Sequence, residues 1–79
     1  MYNGMIQQTL TVDVQDMLCA QALRVVARAM RGLPPGGELD IRYNAPDVRT
    51  DLGVWARECG HNVVSDNGDA LRLMRGRRA

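Results

Sequence analysis

The chain has no phenylalanine, one tryptophan and two tyrosines, so it lacks the interleaved aromatics on which a single-strand binder stacks bases. Its two cysteines, Cys19 and Cys59, stand far apart. They offer neither the paired spacing of a zinc site nor a disulfide framework, which makes the reducing cytosol the expected home. No stretch approaches membrane-spanning length. The opening Met1-Tyr2-Asn3-Gly4-Met5-Ile6-Gln7-Gln8 has neither the basic flank nor the apolar core of a signal peptide. An excess of one charge is missing too: ten basic against nine acidic residues leave a net charge of +1, which gives no reason to expect nucleic acid or a membrane surface. Internal repeats and low-complexity tracts are absent. At 79 residues the chain supports one modest core and no deep enzymatic cleft, so any chemistry lies at the surface.

What is present is periodic. Residues 1–8 read as a flexible leader. Thr9 to Val14 alternates strictly, with Leu10, Val12 and Val14 on one face, and predicts a half-buried strand. From Cys19 to about Gly32 the apolar Leu23, Val26, Met30 and Leu33 recur at helical steps, while Arg24, Arg28 and Arg31 trace a second, basic stripe. Gly32 suits a helix end, and Pro34-Pro35-Gly36-Gly37 forbids continuation. Glu38 to Tyr43 alternates again, with Leu39, Ile41 and Tyr43 on one side. Pro46 suits a first helical turn and Asp47 complements its dipole, opening a helix that should end near Gly60 with Val48, Leu52, Trp55, Ala56 and Cys59 facing the core. Gly53 weakens that helix by about 1 kcal/mol relative to alanine. Two final strands, His61 to Ser65 and Ala70 to Arg75, flank Asp66-Asn67-Gly68-Asp69, where Asn-Gly predicts a type I′ hairpin turn with two positive φ angles. Residues 76–79 read as a frayed basic tail.

The order is β-α-β-α-β-β. Alternating strands have one solvated face, so both helices should cover the same side of one sheet. The expected fold is α+β, a two-layer α/β sandwich with a four-stranded mixed sheet and right-handed crossovers.

Cys19 opens the first helix. There the leading N–H groups lack partners and the macrodipole is positive, which stabilises a thiolate, the reactive form of cysteine. The small Ala20 and Ala22 leave its sulfur unshielded, as suits a thiol that meets a group on another protein. The competing reading is a small buried hydrophobe.

In these residues the chain resembles the TusA/SirA-like small sulfur-carrier proteins. Their pattern is a strand, then Asp-x-x-Gly-Leu-x-Cys-Pro-x-Pro, a helix, Pro-Gly, a second strand, an Asp-Pro-like start to the next helix and a Gly-His after it. Asp13, Leu18 (at the variable position), Cys19, Pro35-Gly36, Pro46, Asp51 and Gly60-His61 match in register over about residues 9–75. The signature itself departs, with Asp16-Met17 for Gly-Leu and Cys19-Ala20-Gln21-Ala22 for Cys-Pro-x-Pro. Loss of a φ-fixing proline predicts looser presentation of the sulfur, and Asp16 would oppose the thiolate where it lies close.

The resemblance implies the same two-layer fold and a sulfur relay. Cys19 accepts a persulfide sulfur from a cysteine desulfurase or another donor and passes it to a downstream acceptor protein, for tRNA thiolation, molybdenum cofactor assembly or sulfur oxidation, with no metal or organic cofactor. It also places Asp13, Pro35, Gly36, Asp51, Gly60 and His61 as structural or supporting positions.

Plainer readings stand beside these. The stripe Arg24, Arg28 and Arg31 is a solvated face or, for an acidic partner, a docking row beside Cys19. Cys59 is expected to pack in the core. His61 follows a helix end, where an imidazolium would interact with the dipole. Arg72, Arg75, Arg77 and Arg78 could meet RNA phosphates, yet the near-neutral charge and missing aromatics make direct nucleic-acid binding the weakest reading. A non-catalytic adaptor that keeps the fold and docking surface without transfer is the alternative function.

Overall fold

A computed structural model of the chain describes residues 9–76. In chain order these form β1 (Thr9–Asp13), α1 (Cys19–Arg31), β2 (Glu38–Arg42), α2 (Pro46–Glu58), β3 (Asn62–Asp66) and β4 (Ala70–Met74). The sheet order is β1-β2-β4-β3, with β1 and β2 parallel and β4 antiparallel to both neighbours. This is the expected α+β sandwich with a mixed four-stranded sheet. The leader at 1–8 and residues 77–79 of the basic tail lie outside the described residues.

Register decides which side chains enter the core. Leu10 and Val12 stand opposite Leu39 and Ile41, which stand opposite Leu73 and Leu71. The pleat therefore sends all of these to one face. There Leu39, Ile41, Leu71 and Leu73 meet Ala22, Val26 and Met30 of α1 and Val48, Leu52 and Ala56 of α2, all buried. The first helix thus buries Ala22 where the pattern pointed to Leu23, which packs half-buried at the margin. On the open face Arg72 lies opposite Asp40, pairs with it through Nε at 2.5 Å and reaches Glu38 at 3.2 Å. That guanidinium also holds the Asp40 carboxyl below its usual range.

The edges depart from the expectation. Only β2 covers a flank of β1, so Leu10 stays 40% exposed. β3, the other edge, is exposed throughout and bulges between Val63 and Ser65. The hairpin turn is also different: only Gly68 takes positive φ, at 93°. The loop has three residues, Asn67 to Asp69. Asn67 N–H donates to the Ala70 carbonyl at 3.0 Å and Gly68 N–H to the Asp66 carboxylate at 3.0 Å. A side-chain acceptor replaces the second left-handed residue.

β1, β2 and β3 all point one way, and both helices return the other way. The N-termini of α1 and α2 therefore lie together at the C-terminal end of the parallel strands. That end carries Cys19, and Cys59 lies at the opposite one.

Candidate functional site

The loop from β1 to α1 is shaped by short polar side chains. Asp13 closes its first turn, accepting the Gln15 N–H at 2.9 Å. Asp16 then adopts φ 63°, a left-handed conformation that suits glycine best and that Asp and Asn tolerate. This is the position where the family pattern carries glycine. Asn44, from the loop after β2, holds the strained residue on two sides: its Oδ1 accepts the Asp16 N–H at 2.9 Å and its Nδ2 donates to the Asp16 carboxylate at 2.8 Å.

Leu18 follows as the N-cap with extended backbone (φ −73°, ψ 158°). A leucine offers no acceptor to the first helical N–H groups. Gln21 supplies the other half of a capping box, its Oε1 accepting the Leu18 N–H at 3.3 Å. The first helical bond runs from Ala22 N–H to the Leu18 carbonyl at 2.9 Å. A proline at either 20 or 22 would change this turn. At 22 it would remove that bond, and at 20 it would drive Cys19 out of helical backbone. With alanine at both positions, α1 reaches back to Cys19.

Cys19 is half-buried and packs against the core edge, whereas Leu18 beside it is 74% exposed. The thiol faces α2. The Asp51 carboxylate beside it, with partial burial and the charge of Asp47, pushes the thiol above its ordinary value. The expectation of a thiolate eased by the helix end is therefore corrected, because two carboxylates one turn apart on α2 outweigh the dipole. The carboxylate expected to oppose it, Asp16, is instead engaged with Asn44.

The other expected residues fall elsewhere. Arg24, Arg28 and Arg31 lie exposed on the outer side of α1; Arg24 and Arg28 border a groove toward β1 with Val12, and Arg31 borders a cleft toward α2. The charges that raise the Cys19 thiol are those of Asp51 and Asp47. Pro35 and Gly36 form a type II turn at the far end, with Gly36 at φ 87° and Gly37 N–H donating to the Pro34 carbonyl at 2.9 Å. Gly60 turns the chain out of α2 at φ 83°. His61 is buried, where desolvation and the Arg75 charge hold it below its ordinary value. Its Nδ1 accepts the Gly76 N–H at 3.0 Å, so the ring is neutral and not the imidazolium expected at a helix end. Cys59, expected in the core, is exposed, because α2 ends at Glu58 and Cys59 is its C-cap. Arg72 and Arg75 are both engaged internally, the latter donating to the Leu33 and Arg31 carbonyls.

Sequence reasoning missed Asn44 as the clamp on the Cys19 loop and Asp51 as the neighbour of the thiol. Asn44 sits 28 residues from Asp16, and no local pattern links them. Asp51 was visible only as a matching family position. Among the described residues no helix is long and apolar enough to cross a membrane.

The family model described as "Sulfurtransferase TusA" matches residues 10–74. The chain is 25% identical over 64 residues to the "Putative sulfur carrier protein YrkI" of Bacillus subtilis (strain 168), covering 78% of this chain and 85% of that protein. No solved structure matches it. With the match running from β1 to the end of β4, across the Cys19 loop and both helices, the chain belongs to the TusA sulfurtransferase family.

Proposed function

We propose that the protein is a sulfur carrier that holds transferable sulfur on Cys19 as a persulfide. The observation that carries the reading is the placement of this thiol: first residue of α1, on a loop clamped by Asn44, beside the exposed Leu18 and the Asp51 carboxylate. A sulfur at a corner of the molecule is open to a macromolecular donor. The reaction needs no oxidant. Cys19-SH attacks the outer sulfur of a donor persulfide R-S-SH, the donor S–S bond breaks, R-SH leaves and Cys19-S-SH forms. Attack requires the thiolate. At rest the Asp51 carboxylate beside the sulfur opposes that ionisation.

The donor in this reading is a cysteine desulfurase or another persulfide protein, the acceptor is a downstream protein of sulfur relay, and the compartment is the cytoplasm. A non-catalytic adaptor is the second reading, favoured by one observation: the resting thiol is pushed up by Asp51.

The deciding experiment incubates reduced protein with a cysteine desulfurase and cysteine and weighs the intact chain. A gain of one sulfur that survives Cys59→Ser and vanishes with Cys19→Ser supports the carrier. No gain on folded protein with a free thiol supports the adaptor. In the same experiment Asp51→Asn removes the carboxylate beside the sulfur. Alkylation of Cys19 by iodoacetamide at pH 7 is then expected to speed up several-fold, and an unchanged rate removes Asp51 from the mechanism.

A further inference from the structure

β1 is an edge strand. β2 covers one flank, and along the other the backbone N–H and C=O groups of Thr9–Asp13 join no ladder among the described residues. Between that open flank and α1 runs an apolar groove of about 340 Å³, lined by Val12, Val25 and Ala29 together with Arg24 and Arg28. The same margin leaves a core-facing side chain uncovered: Leu10 stands opposite the buried Leu39, yet is 40% exposed.

Two features say what the groove takes. Its backbone margin is an open ladder, which an extended segment completes. Its two charges are of one sign: Arg24 and Arg28 are exposed and make no ion pair among the described residues. They stand one turn apart on α1, about 6 Å along the axis. Side chains at alternate positions of a strand recur at nearly the same interval, about 6.7 Å. An extended segment lying against β1 would thus offer two carboxylates to two guanidiniums, with their methylene stems over Val12 and Val25. No nearby acid competes. α1 contains none, and Asp13, the one acid of β1, lies on the opposite face of the pleat from Val12.

The same charges decide against two other occupants. A second copy pairing β1 to β1 about a two-fold axis would bring Arg24 and Arg28 of both copies to one seam, where like charges repel. Residues 1–8 of the chain contain no acidic residue to meet the arginines.

We propose that the groove between β1 and α1 is a docking site for an acidic extended segment of a partner protein, which adds as a further strand to β1 and pairs alternate carboxylates with Arg24 and Arg28. The site lies on the flank of the sheet and does not use the Cys19 thiol, so it stands or falls apart from sulfur transfer.

The test uses full-length, isotopically labelled Cys19→Ser protein and three capped heptapeptides. The first alternates threonine and glutamate, the second has lysine for glutamate, and the third is the glutamate peptide N-methylated throughout, which keeps its charges and removes every backbone donor. The glutamate peptide is expected to shift the amide resonances of Thr9 to Asp13, Val25 and Ala29. It should bind several-fold more tightly than the lysine peptide and weaken as salt is raised. Arg24→Gln combined with Arg28→Gln, both at exposed positions, should remove that preference while the remaining resonances stay in place. The N-methylated peptide should not bind. Equal binding of the two charged peptides, undiminished binding of the N-methylated one, or no shift along β1 overturns the proposal. Hydrogen exchange in the free protein tests the other occupants. Protection of every β1 amide overturns the proposal too, in favour of a second copy where it grows with protein concentration and of residues 1–8 where it does not.

Discussion

At the end that carries Cys19, side chains hold the loops: Asp13 closes its own turn, Asn44 clamps Asp16, and Asp66 gathers the Tyr43 hydroxyl (2.6 Å), Arg49 Nε (2.5 Å) and Gly68 N–H (3.0 Å). At the end that carries Cys59, the backbone does most of the holding. Gly36 N–H donates to the Arg75 carbonyl and Arg75 N–H to the Gly37 carbonyl, His61 N–H returns to the Ala56 carbonyl, and Gly76 lies against Gly60. The difference has a physical consequence. Carboxylate clamps are sensitive to acid and tolerant of added bulk, whereas glycine contacts are sensitive to bulk and indifferent to charge.

The sharpest break of that comparison is Asp66→Ala. It leaves the nearly buried Tyr43 hydroxyl, 5% exposed as a residue, without its acceptor, and should cost about 2–3 kcal/mol of stability by urea unfolding. The pH dependence follows from the same group. Its hydrogen bonds from Tyr43, Gly68 and Arg49 hold Asp66 down at about 2, below the ~3.9 of an unfolded chain. A depressed carboxylate contributes stability that is present above the unfolded value and lost as pH falls through the folded one. The wild type should therefore lose stability between pH ~4 and ~2, and the variant should lose less across that window. At the other end His61, held neutral below its ordinary value, gives a separate step of the same sign. Its contribution is complete above pH ~6.5 and declines as pH falls below it.

Gly76→Ala is the matching break at the Cys59 end. A Cβ there would run into the Gly60 carbonyl. Backbone cannot rotate aside as a side chain can, so the chain after β4 must lift off and release the Gly76 N–H from His61. A loss of about 1–2 kcal/mol in thermal unfolding is expected. Free His61 should then titrate closer to its ordinary value, which the ring resonances would report.

The contrast also explains what the sequence could say. The strands and helices were legible because alternation in Leu39-Asp40-Ile41 and helical spacing in Val26 and Met30 are local, and the core obeys them. The hairpin was legible in place but not in type, since Asp66 Oδ1 took over a role assigned to Asn67. Cys59 and His61 were misplaced for one reason. A helical pattern says which face a residue occupies while the helix lasts, and α2 stops one residue before Cys59. Whether His61 caps the helix or folds inward depends on Gly76, fifteen residues later. Asp51 beside Cys19 required the parallel packing of two helices, which no single segment encodes.

The smallest effect, and the most informative about the Cys19 loop, concerns the residue that stands where the family pattern has glycine. Asp16→Gly relieves the left-handed backbone at φ 63° but removes the carboxylate that accepts from Asn44, so the two changes should nearly cancel within about 0.5 kcal/mol. Asn44→Ala alone should cost about 1 kcal/mol, because it strips both bonds from a strained residue. In the Asp16→Gly background the same change should cost less, since only the backbone N–H still needs Asn44. A double-mutant cycle on urea midpoints measures the difference as a coupling of about 0.5 kcal/mol or more. A coupling of zero would mean that Asp16 holds its conformation unaided and that the clamp does not position Cys19. A clear coupling would mean that the two-sided clamp by Asn44 is what allows Asp to stand in glycine's place before the sulfur.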